Sequence, residues 1–345
     1  MTTPAYKLPS LAVLTVHGGF GDFLFQLDLA KRLESVGIPT RILARKNYLF
    51  FQDILAASNV GKTHIVRADG WRYVFAILSV WLRAVSSSIA IINSFHATKF
   101  RLPTRIYYAL AHKLSAEVII SSTTGEVQSP YTQFVYADHE LIWQRNNRIV
   151  SYLARTPVSE EFPVLTFATG EAPVYGSYLH IHPVGSLLQK SYPPKKLIAV
   201  LEALGPTHPI VLTLTPREER WYVTEELRAY IAAHPHITFI SKQFSFAHLT
   251  GCVAHADVVC TVNTGILWLA LIMGKRIVVC DTHTDFEWNP VAYGQVTRLS
   301  EDFDERGQSL HLKLVEHEDG TFYESMYRIE PEKVAEAIRA AVPTT

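Results

Sequence analysis

Five short segments carry side chains that could do chemistry. In His17-Gly18-Gly19-Phe20-Gly21-Asp22, three glycines break an apolar run and a carboxylate closes it. Glycines let another molecule come close to the backbone, so Asp22 could act as general base on a hydroxyl, with His17 at the same turn. It could equally cap the following helix or lie in its first turn. In Pro183-Val184-Gly185-Ser186-Leu187-Leu188-Gln189-Lys190, the ammonium of Lys190 could reach a phosphate as a point charge, with Ser186 donating to the same group. A solvated loop lysine is the plainer reading. Glu218 and Glu219, at a helix start, could hold the hydroxyl pair of a ribose or only favour the helix dipole. Asn263-Thr264-Gly265 opens a helix whose first amides could bind phosphate without a metal, or is a simple cap and turn. Lys99, Arg101 and Arg105 cluster where an anionic acceptor could bind, or form a solvated basic loop.

Two other chemistries find less support. A dinucleotide fingerprint needs Gly at 24, where the chain has Leu24, and the second strand runs into Arg45 and Lys46 rather than an acid. His180 and His182 alternate along a strand with no third ligand near them in the sequence, so no metal centre is expected.

These segments need elements to hold them. Leu11–Val16 is a short run suited to a strand buried on both faces, and apolar residues recur at helical spacing from Phe23 to Leu33. Strands and helices then alternate, with strands expected at "PTRILA", "THIVR", "SIAIINS" and "AEVIISS" and an amphipathic helix over 138–155. The second half repeats the pattern: strands "YLHIHP", "PIVLTL", "ITFIS", "DVVCTV" and "KRIVVCD", with one helix expected over "PREERWYVTEELRAYIAAH". The expectation is α/β: Rossmann-like domains over 1–155 and 178–330, a linker over 156–177 rich in Pro, Gly, Ser and Thr, and a C-terminal helix over 331–345 packing back on the first domain. Parallel sheets would face each other across a cleft.

Composition narrows the partners. The chain has 345 residues, with 32 Lys and Arg against 32 Asp and Glu. That balance gives no reason to expect nucleic acid. Three cysteines, Cys252, Cys260 and Cys280, are too few and too scattered for a disulfide framework or a zinc site, which suits a cytoplasmic location. The apolar stretch Tyr73–Leu82 is about half the ~20 residues a span needs and is bounded by Arg72 and Arg83. It reads as a core helix, with peripheral membrane contact as the alternative.

The order of the motifs resembles the lipopolysaccharide heptosyltransferase family, family 9-like inverting transferases with the two-domain GT-B architecture. Gly21-Asp22 matches the family's Gly-Asp after the first strand. Lys190 with Tyr192 and Pro193 matches its lysine before an aromatic-proline pair, and Glu218 or Glu219 the glutamate after the next strand. "VNTGILWLALIMGKRIVV" matches its Asp-Thr-Gly signature. Asn263 stands where the family has Asp, Trp268 where it has His, and Val16 where a basic residue precedes the turn. These positions surround the donor in the family, so the resemblance carries the fold and not the sugar.

The resemblance implies a metal-independent, cofactor-free, inverting glycosyltransferase of bacterial surface-glycan assembly, acting in the cytoplasm or peripherally at the inner membrane. Its partners would be a nucleotide-diphospho-sugar and a glycan or glycolipid acceptor. Asp22 would be the base, with His17, Gly18, Gly19 and Gly21 forming the turn the acceptor approaches. Ser186, Lys190, Glu218, Glu219, Asn263, Thr264, Gly265 and Trp268 would hold the donor, and Lys99, Arg101 and Arg105 the acceptor. A nucleotide-sugar epimerase on the same two domains and a binding protein without catalysis remain rival readings.

Overall fold

The computed structural model describes residues 8–16, 19–44, 47–68, 88–93, 117–122, 132–135, 140–159, 161–281, 295–300 and 313–343, with helical positions between 72 and 82. The chain divides into two compact units, Met1–Leu165 and Thr166–Thr345. In the first, strands β1 (Leu11–Val16), β2 (Thr40–Ala44), β3 (Thr63–Arg67), β4 (Ile89–Asn93), β5 (Glu117–Ser122) and β6 (Thr132–Val135) pair in the order β3-β2-β1-β4-β5-β6. Every pairing is parallel. The described helices are α1 (Phe20–Ser35), α2 (Tyr48–Ala57) and α3 (Ile142–Ala154).

The second unit repeats the plan. Strands β7 (Tyr178–His182), β8 (Ile210–Leu214), β9 (Ile237–Ser241), β10 (Ala256–Val262), β11 (Arg276–Cys280) and β12 (Val296–Leu299) pair in the order β12-β11-β10-β7-β8-β9, again all parallel. Counted from each unit's first strand, both sheets have the doubly wound order 3-2-1-4-5-6. The crossovers leave in opposite directions between β1 and β4 and between β7 and β10, and a crevice at the carboxyl ends of those strands is the consequence.

Between the strands of the second unit run α4 (Pro194–Leu204), α5 (Pro216–Tyr222), α6 (Glu225–Ala233), α7 (Phe246–Ala254) and α8 (Gly265–Ile272). A hairpin, β13 (Leu314–His317) and β14 (Gly320–Tyr323), precedes α9 (Glu324–Arg328) and α10 (Pro331–Ala341). Leu179 and Ile181 of β7 pack with Leu197 and Leu201 of α4 and Ile338 of α10 in one apolar core. The strands β7 and β8 are buried along their whole length, which is why they read as continuous apolar runs.

Several expectations are corrected. The C-terminal helix α10 packs on α4 and β11 of its own unit, because its apolar stripe of Val334, Ala335 and Ile338 completes that unit's core. The helix expected over 216–234 is two helices, since Thr224 opens a new one by accepting the Leu227 amide at 3.2 Å. Strands β6 and β12 and the hairpin lie in stretches whose short apolar runs gave no clear periodicity. Segment 156–177, expected as a linker, is pinned within both units. A Cβ on Gly170 would lie 1.8 Å from the carbonyl oxygen of Ala247 in α7, so only glycine allows that approach.

In the first unit the pin is a buried charge. Arg32 on α1 pairs through Nε with Asp28 Oδ2 at 2.9 Å, both almost without exposure. Its Nη1 donates to Asn147 Oδ1 of α3 at 2.5 Å and to the Ser159 carbonyl at 3.1 Å, and its Nη2 to the Glu161 carbonyl at 2.7 Å. Asn146 donates to the same Asp28 oxygen at 3.0 Å. This network joins α1, α3 and the chain leaving the unit. Arg32→Met should cost about 3–5 kcal/mol in urea unfolding, because Asp28 is left as an uncompensated buried charge. The Asp28→Leu, Arg32→Met double variant should lose less than Arg32→Met alone; equal or greater loss would show that the charge pair is not what counts.

Candidate functional site

Three of the five segments picked out by chemistry lie at the carboxyl edge of the second sheet. Beyond His182, where β7 ends, the chain folds back on itself. The Gly185 amide donates to Ser191 Oγ at 3.0 Å, Ser191 Oγ donates to the Leu187 carbonyl at 3.0 Å, and the Tyr192 amide donates to the Pro183 carbonyl at 2.9 Å. A Cβ on Gly185 would lie 2.9 Å from Cβ of Lys190, so the loop closes this tightly only on glycine. Lys190 ends a single 3-10 turn, half-buried; its amide donates to the Leu187 carbonyl at 3.1 Å, and its ammonium has no hydrogen-bond or ion-pair partner among the described residues. Ser186 is exposed beside it.

The hairpin braces this loop. Asp319, in its turn, accepts the Lys195 amide at 3.2 Å, supplying at the start of α4 the cap that Pro193 cannot. Lys195 pairs with Glu318, and Gly320 sits against Leu188, 3.0 Å from a Cβ at that glycine to Cδ2. Nothing in the local sequence around Lys190 points to these partners, which lie more than a hundred residues later.

At the end of β8 the two glutamates separate. Glu218 Oε2 accepts the Thr215 amide at 2.7 Å while Thr215 Oγ1 accepts the Glu218 amide at 3.3 Å, a reciprocal cap on α5. Glu219 instead accepts from the Ser241 hydroxyl and pairs with Arg228 at 2.7 Å. The Ser241 hydroxyl and the Arg228 guanidinium hold its carboxyl below the usual carboxylate range. Glu219 thus ties α5 to β9 and α6, while Glu218 stays at the end of β8.

At the end of β10, Thr264 is the extended cap residue of α8 and its side chain makes no cap hydrogen bond. The amides of Gly265 and the following first turn thus meet the crevice without a side-chain cap. Asn263 is half-buried at the same edge. Trp268, expected to hold the donor, is buried, 3% exposed.

On the face of β7 opposite the apolar core lie His180 and His182. His180 Nε2 is 2.8 Å from Thr213 Oγ1, and His182 Nδ1 is 2.9 Å from the Thr213 carbonyl. Burial pushes His180 down to about 3 and lowers His182, with the Glu218 charge and the Thr213 bond opposing in the latter. Sequence reasoning weighed the pair only as metal ligands; alternation at a strand end was the signal for a second use. Among the described residues no group of three metal-capable side chains occurs.

In the first unit Asp22 is the third residue of α1, not its cap. Its Oδ2 accepts the amide of Gly19, the actual cap residue, at 2.8 Å. Gly19 is exposed and Gly21 and Asp22 half-buried. His17, Gly18, Lys99, Arg101 and Arg105 lie outside the described residues. Among the described residues no helix is long and apolar enough to cross a membrane.

No family model and no curated protein sequence matches the chain. Solved structures do. ADP-heptose lipopolysaccharide heptosyltransferase II of E. coli superposes with a TM-score of 0.63 at 10% identity, over 96% of this chain and 98% of that one. A family 9 glycosyltransferase of Veillonella parvula gives 0.65 at 12%, over 96% and 97%. The E. coli heptosyltransferase WaaC with ADP gives 0.59 at 11%, over 96% and 100%. The α/β fold is thus the one these transferases share, along the whole chain.

The buried histidine pair sets a pH dependence. Unfolded His180 takes a proton below about 6.5, whereas the native ring stays neutral until about 3. Its contribution to stability is complete above pH 6.5 and is lost as pH falls toward 3, by about 1.4 kcal/mol per pH unit. Urea unfolding at pH 7, 6 and 5 should therefore show a shallower decline for His180→Phe than for the parent chain. Parallel profiles would show that His180 is not kept neutral by the fold.

Proposed function

We propose that the chain is a glycosyltransferase that moves a heptose or hexose-like sugar from a nucleotide-diphospho-sugar to a glycan or lipopolysaccharide-type acceptor, with inversion and without a metal. One observation carries this reading. At the switch point between β7 and β10 the second unit collects a lysine with no partner among the described residues, a helix start without a side-chain cap, and a carboxylate. A nucleoside diphosphate needs these three groups. The ammonium of Lys190 and the amides from Gly265 onward would receive the charge that develops on the departing diphosphate. Glu218 would accept from ribose hydroxyls, and Ser186 would donate at the rim. The ADP-containing neighbour supports a nucleotide ligand.

The first unit would supply the base. Asp22 would take the proton of the acceptor hydroxyl as its oxygen attacks the anomeric carbon from the face opposite the leaving diphosphate, which inverts that centre. Lys99, Arg101 and Arg105 would hold an anionic acceptor. Compartment and membrane contact follow only from this reading: a nucleotide donor implies the cytoplasmic side. The sequence contains one Asp-x-Asp, Asp302-Phe303-Asp304, outside the described residues, so metal independence needs its own experiment.

Incubation with a panel of nucleotide-sugars in excess EDTA should release the nucleoside diphosphate from one donor, slowly by hydrolysis without an acceptor. Release that requires added Mg²⁺ or Mn²⁺ would refute the metal-free mechanism. Sugar interconversion without release would favour an epimerase, and binding without turnover a protein that only binds.

Asp22→Asn separates catalysis from capping, since the amide oxygen can still accept from Gly19 but cannot take a proton at neutral pH. Turnover should fall about 10²–10⁴-fold with melting temperature little changed. Transfer at the parent rate under saturating donor and acceptor would leave Asp22 a structural residue of α1.

A further inference from the structure

We infer that His182 reads the ribose of the bound nucleotide: its Nε2 accepts a hydrogen bond from a ribose hydroxyl, beside Glu218. This rests on the reading above that the second unit binds a nucleoside diphosphate. The ring's tautomer follows from its partner. The Thr213 carbonyl, 2.9 Å from Nδ1, can only accept, so Nδ1 carries the proton. Burial keeps the ring neutral, and a neutral imidazole with a protonated Nδ1 has a bare lone pair at Nε2.

That nitrogen has no hydrogen-bond partner among the described residues, and Nδ1 of the neighbouring His180 is unpartnered and sealed. His182 is only 8% exposed, so the ring is held by its surroundings. Its place is the last position of β7, at the switch point, and Thr261 of β10 donates to its carbonyl at 3.0 Å. Glu218 is close enough for its charge to act on the ring. Two neighbouring acceptors suit a ligand that presents two neighbouring donors, and the vicinal diol of a ribose is that group. An acceptor is of no use toward phosphate oxygens, so His182 contributes to nucleoside recognition and Lys190 to the diphosphate.

The test is a set of calorimetric titrations. The parent chain is titrated with ADP, UDP, GDP and CDP; no binding by any of them overturns both the nucleotide reading and this one. The tightest binder is then compared with its 2′-deoxy and 3′-deoxy forms. Each deoxy form should bind more weakly, the one that lacks the hydroxyl read by His182 by about 5- to 10-fold, as for one lost neutral hydrogen bond. In His182→Phe the parent nucleotide should weaken by the same factor, the penalty of one deoxy form should vanish while that of the other, read by Glu218, remains, and inorganic pyrophosphate should bind as before. Lys190→Ala should weaken nucleotide and pyrophosphate alike. Equal binding of ribo and deoxy forms by the parent chain overturns the inference without any variant. So does the survival of both deoxy penalties in His182→Phe, or a change confined to base preference. If His182→Phe does not fold, His182→Gln, smaller and able to accept, gives the same cycle: it should keep part of the deoxy penalty, and an undiminished one would overturn the inference.

Discussion

The structure depends on the reversal of strand order in each parallel sheet. All strands of such a sheet end on the same edge, and neighbouring crossovers that depart in opposite directions leave a gap there that no connecting helix covers. In the second unit the gap lies between β7 and β10. Segments more than seventy residues apart, 183–190 and 263–268, are brought to one edge by that topology alone. Their chemistry is complementary because each begins at a strand end and leads into a helix, where backbone amides point outward.

Topology sets the place, and side-chain contacts from elsewhere set the precision. The Lys190 loop is closed by Ser191 and braced by the β13–β14 hairpin, whose Asp319 caps α4. A flexible cation on a flexible loop would lose binding energy to ordering; a loop whose backbone amides are already satisfied does not. The first unit uses a buried charge for the same purpose. Arg32 gathers α1, α3 and the backbone of residues 159 and 161, so the helix that begins beside Asp22 is anchored at its far end. Its position along the sheet is therefore set by a network well away from the turn.

The two carboxylates proposed to act on ligands, Asp22 and Glu218, occupy the same local position, three residues beyond a helix cap, and each accepts that cap's amide. One interaction orients the group and stabilises the helix at once. This explains why a capping interpretation and a functional one compete at both sites without excluding each other. Glu219 shows the contrast: one residue further on, the helix turns its side chain toward Ser241 and Arg228, and it becomes structural.

Much of this was legible in the chain itself. Strands buried on both faces are unbroken apolar runs, so β1, β7, β8, β10 and β11 and the α/β class could be read directly, as could the first helical turns that hold Asp22 and Glu218 and the helix start at Thr264. These are local properties, fixed by backbone sterics and by hydrogen bonds within a few residues. Edge strands β6 and β12 and the hairpin could not be read, because their stability comes from neighbours and not from their own pattern. Nor could the separate partners of Glu218 and Glu219, the burial of Trp268, the packing of α10 on its own unit, or the Thr213 carbonyl against His182. Each depends on which distant group lies alongside, and burial and pairing across tens of residues exist only once the chain has folded.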